Sequence, residues 1–428
     1  MKFNKWTLGL AAVGVVSLAT AARADEKMNA LQTALSNTTI SGSVSASFNW
    51  AITPGGVGNQ YSPAGSIPFQ GQGYGYYGYE QSPTKQDGFN LDVVRLTIAK
   101  PEDESPWASG YDIDLMFGPD AVGYNPSANA KTYEGYYYGN SSDFAIKQAY
   151  VTLRTPVGNG IDWKVGVFDT VIGYEVTDAG NDPNYTRSWG YAIEPTEHTG
   201  VLATYAVNSE LSLSAGVANT LGPDINARDN AGNAAYGAGN YWHKTVMGSA
   251  TFTAPSSWGW AAGSSIYLGA VYGFAPTTGA DSSYYGNYYA DGGNQFNLYA
   301  GATMNTPLKQ LTTGVAFDYA HNLGGGYYGE YADVGVLGLY ATYKATDKLS
   351  LNARGEYVNS TLHEGSYGST SSLIELTGTV EYDLWANVMT RLELRWDQDL
   401  DAKYFFLADD ELDTKGSVGL YANVIYKF

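Results

Sequence analysis

Apolar side chains occupy every second position at the close of this chain. Val418, Leu420, Ala422, Val424, Tyr426 and Phe428 form one row. Ser417, Gly419, Tyr421, Asn423 and Lys427 belong to the other, with Ile425 the one apolar intruder. A period of two puts the rows on opposite faces of a β-strand, one greasy and one polar. The pattern recurs in segments about ten residues long, the length a tilted strand needs to cross a bilayer. Sixteen such segments are legible: 40–50, 89–99, 108–117, 144–154, 161–168, 199–207, 211–219, 244–254, 262–274, 294–305, 311–320, 333–344, 348–358, 371–383, 386–397 and 417–428.

The connections alternate in length. Gaps 51–88, 118–143 and 169–198 are long; 100–107, 155–160 and 208–210 are short, and the order persists to 384–385 and 398–416. A barrel whose two ends face different surroundings sorts its loops this way. The fold class expected is therefore all-β: a transmembrane antiparallel β-barrel of about sixteen strands, with long extracellular loops and short periplasmic turns.

The N-terminus fits export. Lys2 and Lys5 precede an apolar stretch from Leu8 to Leu18, and Ala22-Arg23-Ala24 suits cleavage, so 1–24 reads as a signal peptide. The other reading, a membrane anchor, needs a longer stretch. Residues 25–37 are a short periplasmic helix or a stub, and 38–428 the barrel. The chain has no cysteine, so rigidity must come from a hydrogen-bonded ladder rather than disulfides. Of its 23 basic residues three lie in the leader, which leaves 20 against 42 acidic, a balance of −22. That argues against nucleic acid as a partner and suits a surface facing cations. Trp50, Trp163, Tyr382, Trp385, Trp396, Tyr426 and Phe428 lie near strand ends, where interfacial aromatic belts sit.

Phe89 to Leu96, Gly166 to Thr170, Gly173-Tyr174-Glu175, Pro183 to Ser188, Glu194-Pro195-Thr196 and His198-Thr199-Gly200 carry a family resemblance. With them the chain resembles the β-barrel porins of Gram-negative outer membranes. In strand number and loop order it is also similar to the general sixteen-strand porins. The resemblance implies a passive diffusion channel for small hydrophilic solutes in the bacterial outer membrane, with no cofactor. It implies contact with outer-membrane lipid and lipopolysaccharide, and delivery to the barrel-assembly machinery through the strand ending at Phe428. By analogy with general porins it also implies a homotrimer, for which Gly248, Ala250, Ala262, Ser264, Ala300 and Ala302 supply a patch of small outer residues.

Strand parity turns Arg95, Asp112, Asp114, Lys164, Asp318, Arg354, Glu356, Glu375, Glu381, Arg391, Glu393 and Arg395 inward, since a charge in lipid at mid-bilayer costs about 2–4 kcal/mol. General porins fold their third long loop into the lumen. Here that loop, 169–198, carries Asp169, Glu175, Asp178, Asp182, Arg187, Glu194 and Glu197. Across a sixteen-strand circle lie Arg354, Arg391 and Arg395. Two arrangements are open: an acidic loop facing an arginine wall across the eyelet, which would create a transverse field, or arginines paired with Glu356, Glu375, Glu381 and Glu393 on their own strands. The expected pore-lining set is Arg95, Lys164, Asp169, Glu175, Asp178, Arg187, Glu194, Glu197, Arg354, Arg391 and Arg395.

Small inward residues such as Ser43, Ser45, Ser47, Ser212, Ser214 and Gly216 speak for an open lumen. The acids Asp397, Asp399, Asp401, Asp409, Asp410, Glu411 and Asp413 read as a solvated outer surface or a weak divalent bridge. Tyr- and Gly-rich tracts at 73–78, 136–138, 284–285 and 327–328 leave a second reading, a surface adhesin or structural barrel. No zinc-type histidine spacing or nucleophile elbow is present, and His198 is expected to anchor a loop.

Overall fold

The computed structural model describes residues 37–52, 85, 88–124, 131–133, 136–138, 144–219, 221–222, 225, 244–274, 294–323, 331–364, 367–401, 406–408, 412–414 and 416–428. The expected signal peptide, and 25–37 apart from Asn37, lie outside these residues, as do the tracts 73–78, 284–285 and 327–328.

Sixteen antiparallel strands close into one barrel in sequence order. They are β1 (Thr39–Ala51), β2 (Gly88–Lys100), β3 (Ser109–Phe117), β4 (Phe144–Thr155), β5 (Ile161–Asp169), β6 (Glu197–Ala206), β7 (Leu211–Ala218) and β8 (Thr245–Thr253). Then follow β9 (Ser265–Phe274), β10 (Asn294–Asn305), β11 (Leu311–Leu323), β12 (Tyr331–Lys344), β13 (Leu349–Glu364), β14 (Tyr367–Trp385), β15 (Val388–Asp399) and β16 (Gly416–Lys427). All sixteen expected segments are present. Closure runs from Ser43 opposite Lys427 to Ala51 opposite Gly419. Beyond that ladder, the backbones of Gly42 and Phe428 exchange two hydrogen bonds of 2.9 Å. A side chain at Gly42 would collide with the Arg95 carbonyl and the Phe428 ring, so this seam needs glycine.

Sidedness follows the pattern. On β1, Ile40, Val44, Phe48 and Trp50 are exposed outward, while Ser43, Ser45, Ser47 and Asn49 are buried inside. Trp50, Trp385, Tyr382, Tyr426 and Phe428 are exposed at strand ends, as an interfacial belt requires.

Three features depart from expectation. First, β13 and β14 continue their ladder out to Glu364 opposite Tyr367, so most of the expected long loop between them is strand. Second, β9 begins at Ser265 rather than 262. A 3-10 turn, Ser256–Ala261, precedes it, with Gly259 and Gly263 both at positive φ. Third, the inward rows are not polar throughout: Ala320, Val334, Val336, Val358 and Leu373 are buried inside and pack against Trp189 and Ile193. β12 is thus apolar on both faces at this level, because a loop covers its inner one.

Candidate pore constriction

The chain between β5 and β6, 170–196, crosses the lumen and lies against the far wall. Such a segment has no ladder to satisfy its backbone N–H and C=O groups, yet it is buried. The wall supplies the partners. Glu393 on β15 accepts from the backbone N–H of Tyr185 (2.5 Å) and Thr186 (2.9 Å), and Glu356 on β13 from those of Trp189 (2.8 Å) and Gly190 (3.2 Å). Arginines take the carbonyls: Arg354 donates to Thr186 O (2.7 Å), Arg391 to Asp182 O and Asn184 O (3.0 Å each), and Arg395 to Arg187 O (2.6 Å). Amide and amine groups add more: Asn352 donates to Pro183 O (2.8 Å), Asn297 to Ile193 O (2.8 Å) and Lys427 to Gly180 O (2.6 Å).

Inside the loop, a one-turn helix α1 (Trp189–Ile193) starts at Ser188, whose hydroxyl accepts from Tyr191 N at 3.0 Å. The Trp189 indole N–H reaches Asp397 at 2.7 Å. Tyr185 donates to Ser47 (2.8 Å), stands 3.0 Å from Asp92, and packs near the Tyr421 ring. Tyr174 stacks on Tyr340 with centroids 4.1 Å apart. Glu175 binds Arg354 (2.8 Å) and Ser188 N (2.9 Å); Arg187 pairs with Asp182 and donates to Thr177 O (3.0 Å).

Of the two arrangements left open, the loop does not face the arginine wall across an open gap, while pairing along the strands holds for Arg354, which meets Glu356 and Glu375. Arg354, Arg391 and Arg395 lie on the expected wall, but they are buried under the loop and bonded to its backbone, not spread across an open gap from it. Two of the three have carboxylate partners as well, Arg354 with Glu375 (3.1 Å) and Arg395 with Asp397 (2.7 Å). Glu175, Arg187 and Glu197 are buried too. Ser43, Ser45 and Ser47 do not border open space: all three are buried, with Ser47 bound by Tyr185 of the loop and Ser45 by Asp92 and Asn423 of the wall. Asp397 and Asp399 belong to the buried interior and not to a solvated surface. Asp409, Asp410 and Glu411 lie outside the described residues.

The opposite wall stays wet. Arg95, Asp112, Tyr150, Lys164, Thr204, Ser212 and Ser214 on β2–β7 keep part of their inward surface accessible, as do Asp169 at the end of β5 and Asp178 on the loop. Arg95 binds Asp114 through Nε at 2.8 Å, and the Lys164 ammonium lies over the Tyr150 ring at 4.6 Å. At the loop's root Lys147 is fully buried between Asp169 and Glu197 (2.7 Å to the latter). His198 anchors the same root through Thr170 at 3.1 Å. At its far end the Glu194 carboxyl hydrogen-bonds Asp318. Burial first, and the Asp318 charge second, push it well above the usual carboxylate range.

Strand parity did not find Asp92 and Lys147. Each sits at a β-bulge: the register slips opposite Ser45/Ala46 on β2 and at Asp114/Leu115 opposite β4. A bulge adds one residue and flips the faces that follow. Both bulges use the extra position to bury a charge: Lys147 binds the end of β5 and the start of β6, through Asp169 and Glu197. Asp92 meets Lys85 at 3.2 Å, and Lys85 meets Asp120 at 2.6 Å.

Residues 37–428 match the family model described as "Putative beta-barrel porin-2, OmpL-like". No curated protein matches by sequence. Solved structures share the fold. The trimer form of OmpT, an outer membrane protein of Vibrio cholerae, is 12% identical with a TM-score of 0.51, covering 91% of this chain and 99% of that one. The outer membrane channel DcaP of Acinetobacter baumannii is 13% identical at 0.54, covering 91% and 97%. An anion-selective porin from Comamonas acidovorans is 11% identical at 0.52, covering 91% and 99%.

Proposed function

Because the chain belongs to this OmpL-like β-barrel porin family, and so is an outer-membrane porin, we propose that it passes small hydrophilic solutes and ions by passive diffusion and prefers cations. The observation that carries this is the asymmetry of the lumen. One wall is sealed by the docked loop; the other presents wet polar side chains along the remaining space. Asp112, Asp114, Asp169 and Asp178, with Glu197 at the loop's root, stand against Arg95, Lys164 and the buried Lys147, five acids to three bases and a formal excess of two negative charges. Ordered charges of both signs hold water and admit polar solutes over apolar ones, and the excess favours cations. The narrowing is thus assigned to Arg95, Lys164, Asp169 and Asp178, while Glu175, Arg187, Glu194, Glu197, Arg354, Arg391 and Arg395 seat the loop. No reaction chemistry and no cofactor enter the proposal.

The test is swelling of liposomes that contain the purified protein, with sugars of graded size. Fast entry of small sugars and exclusion of large ones is expected. No entry of any sugar would favour a closed structural or adhesive barrel. The proposal includes a homotrimer joined through Gly248, Ala250, Ala300 and Ala302, which lie on the outward rows of β8 and β10. Ala262 and Ser264 just precede β9. A purely monomeric mass in mild detergent would contradict that part.

A further inference from the structure

Four neighbouring strands, β7 to β10, contain no Asp, Glu, Lys or Arg. A wall that served ions alone would have no need of such a gap, yet the gap is not apolar toward the lumen. On the side of the short turns, inward hydroxyls line up from strand to strand. Thr204, Ser214 and Ser249 stand opposite one another on β6, β7 and β8. One rung nearer the turns stand Ser212, Thr251 and Tyr267 on β7, β8 and β9. All six are half-buried, so their inner faces reach the lumen. The Thr204 and Ser214 hydroxyls lie 3.0 Å apart. Toward the long loops the same wall turns greasy, where Phe168, Leu202, Met247 and Val271 pack with Ile172 of the constricting loop.

Tyrosine rings frame this wall. Tyr299 on β10 lies over Gly301, where any Cβ would collide with its hydroxyl, and Gly301 stands opposite Tyr267. Tyr174 of the loop lies over Gly314 in the same way, stacks on Tyr340 and hydrogen-bonds Thr303. The Tyr299 hydroxyl is the informative group. Its residue is 2% exposed, and the hydroxyl has no hydrogen-bond partner among the described residues. A hydroxyl can both donate and accept, and leaving one buried and unmatched is costly. Through Gly301 it is level with Ser212, Thr251 and Tyr267, an unmet donor on the floor of the hydroxyl wall.

We propose, on the footing that solutes diffuse through this barrel, that this quarter of the lumen is a binding slot for neutral saccharides. A sugar ring has an apolar CH face and a rim of hydroxyls, each donor and acceptor at once. The rings of Tyr267 and Tyr174 suit the face. The rim can pair with Ser and Thr hydroxyls in either sense, so a sugar can shift from rung to rung without stranding a polar group. Tyr299 offers it a hydroxyl to complete. An ion gains little here, because uncharged hydroxyls on one side of a wide lumen do not replace its hydration shell; its path follows the charged groups of β2 to β5.

The test is the potassium chloride current of the purified protein in a planar bilayer. It is titrated with maltose and, separately, with a polyethylene glycol of similar size, whose ether oxygens accept but do not donate. Maltose should reduce the wild-type current along a saturating curve, and the glycol only as far as it lowers bulk conductivity. Tyr267→Ala should raise the half-blocking maltose concentration about tenfold. Tyr299→Phe keeps the ring over Gly301 and should raise it about fivefold. Sugar-free conductance near the wild-type value certifies that each variant is folded. Equal effects of maltose and glycol on the wild type, or an unchanged maltose curve in Tyr299→Phe, would overturn the saccharide slot and leave the diffusion channel standing. A wild type without current would overturn both.

Discussion

Arg354 faces Glu175, Glu356 and Glu375, yet it still donates to the Thr186 carbonyl. It therefore does two jobs: it neutralises buried carboxylates and fixes the loop backbone. Arg354→Met keeps much of the volume but strands those carboxylates. Breaking a buried pair from one side costs about 3–5 kcal/mol. The expected result is a lower thermal midpoint and a larger, noisier single-channel conductance as the loop loosens; unchanged traces would show that the loop does not depend on it. Glu194 makes a pH prediction. Its folded pKa is raised, so its protonated form belongs to the docked loop. The stabilisation it gives is complete below the ordinary carboxylate value of ~4.3 and declines as pH rises from there toward the raised value. Glu194→Gln imitates the protonated acid. Its thermal midpoint should match wild type near pH 4 and exceed it near pH 8; parallel curves would remove Glu194 from the account. The inward position of the arginines was legible from strand parity. Their partners were not, since backbone carbonyls of a distant loop leave no mark on the residues that bind them.

At the scale of elements, alternation located all sixteen strands because a barrel wall in lipid repeats one constraint many times. It failed where a second constraint entered. Asp92 and Lys147 sit at bulges, and a bulge is invisible to a count by twos. β12, apolar on both faces, reads as a buried strand without saying what buries it. The loop 170–196 could be picked out by its place in the order, but not its path. That path depends on Glu393 and Glu356 finding pairs of adjacent backbone N–H groups, as at a helix start. Replacing 176–192 by a short Gly-Ser linker should leave the barrel closed and raise conductance severalfold, with larger sugars admitted in swelling assays. A variant that folds and keeps the wild-type exclusion size would move the constriction elsewhere.

At the scale of the whole molecule, the barrel is divided lengthwise. The wall from β9 through β16 is lined by the loop and its buried charge pairs, with Tyr185 carrying the contact round to β1 and β2. The wall from β2 to β7 holds the water-facing groups. Fold and family leave ionic preference open, as the anion-selective Comamonas acidovorans porin of similar fold illustrates. On the function proposed, preference in this chain would follow from Asp112, Asp114, Asp169, Asp178 and Glu197 outweighing Arg95, Lys147 and Lys164. The direct measurement is the reversal potential of the purified protein in a planar bilayer under a tenfold potassium chloride gradient. The account predicts a stable open conductance with a reversal potential of cation-selective sign, shifted toward zero in Asp112→Asn/Asp178→Asn. An absent conductance, or a reversal of anion-selective sign in the wild type, would contradict it.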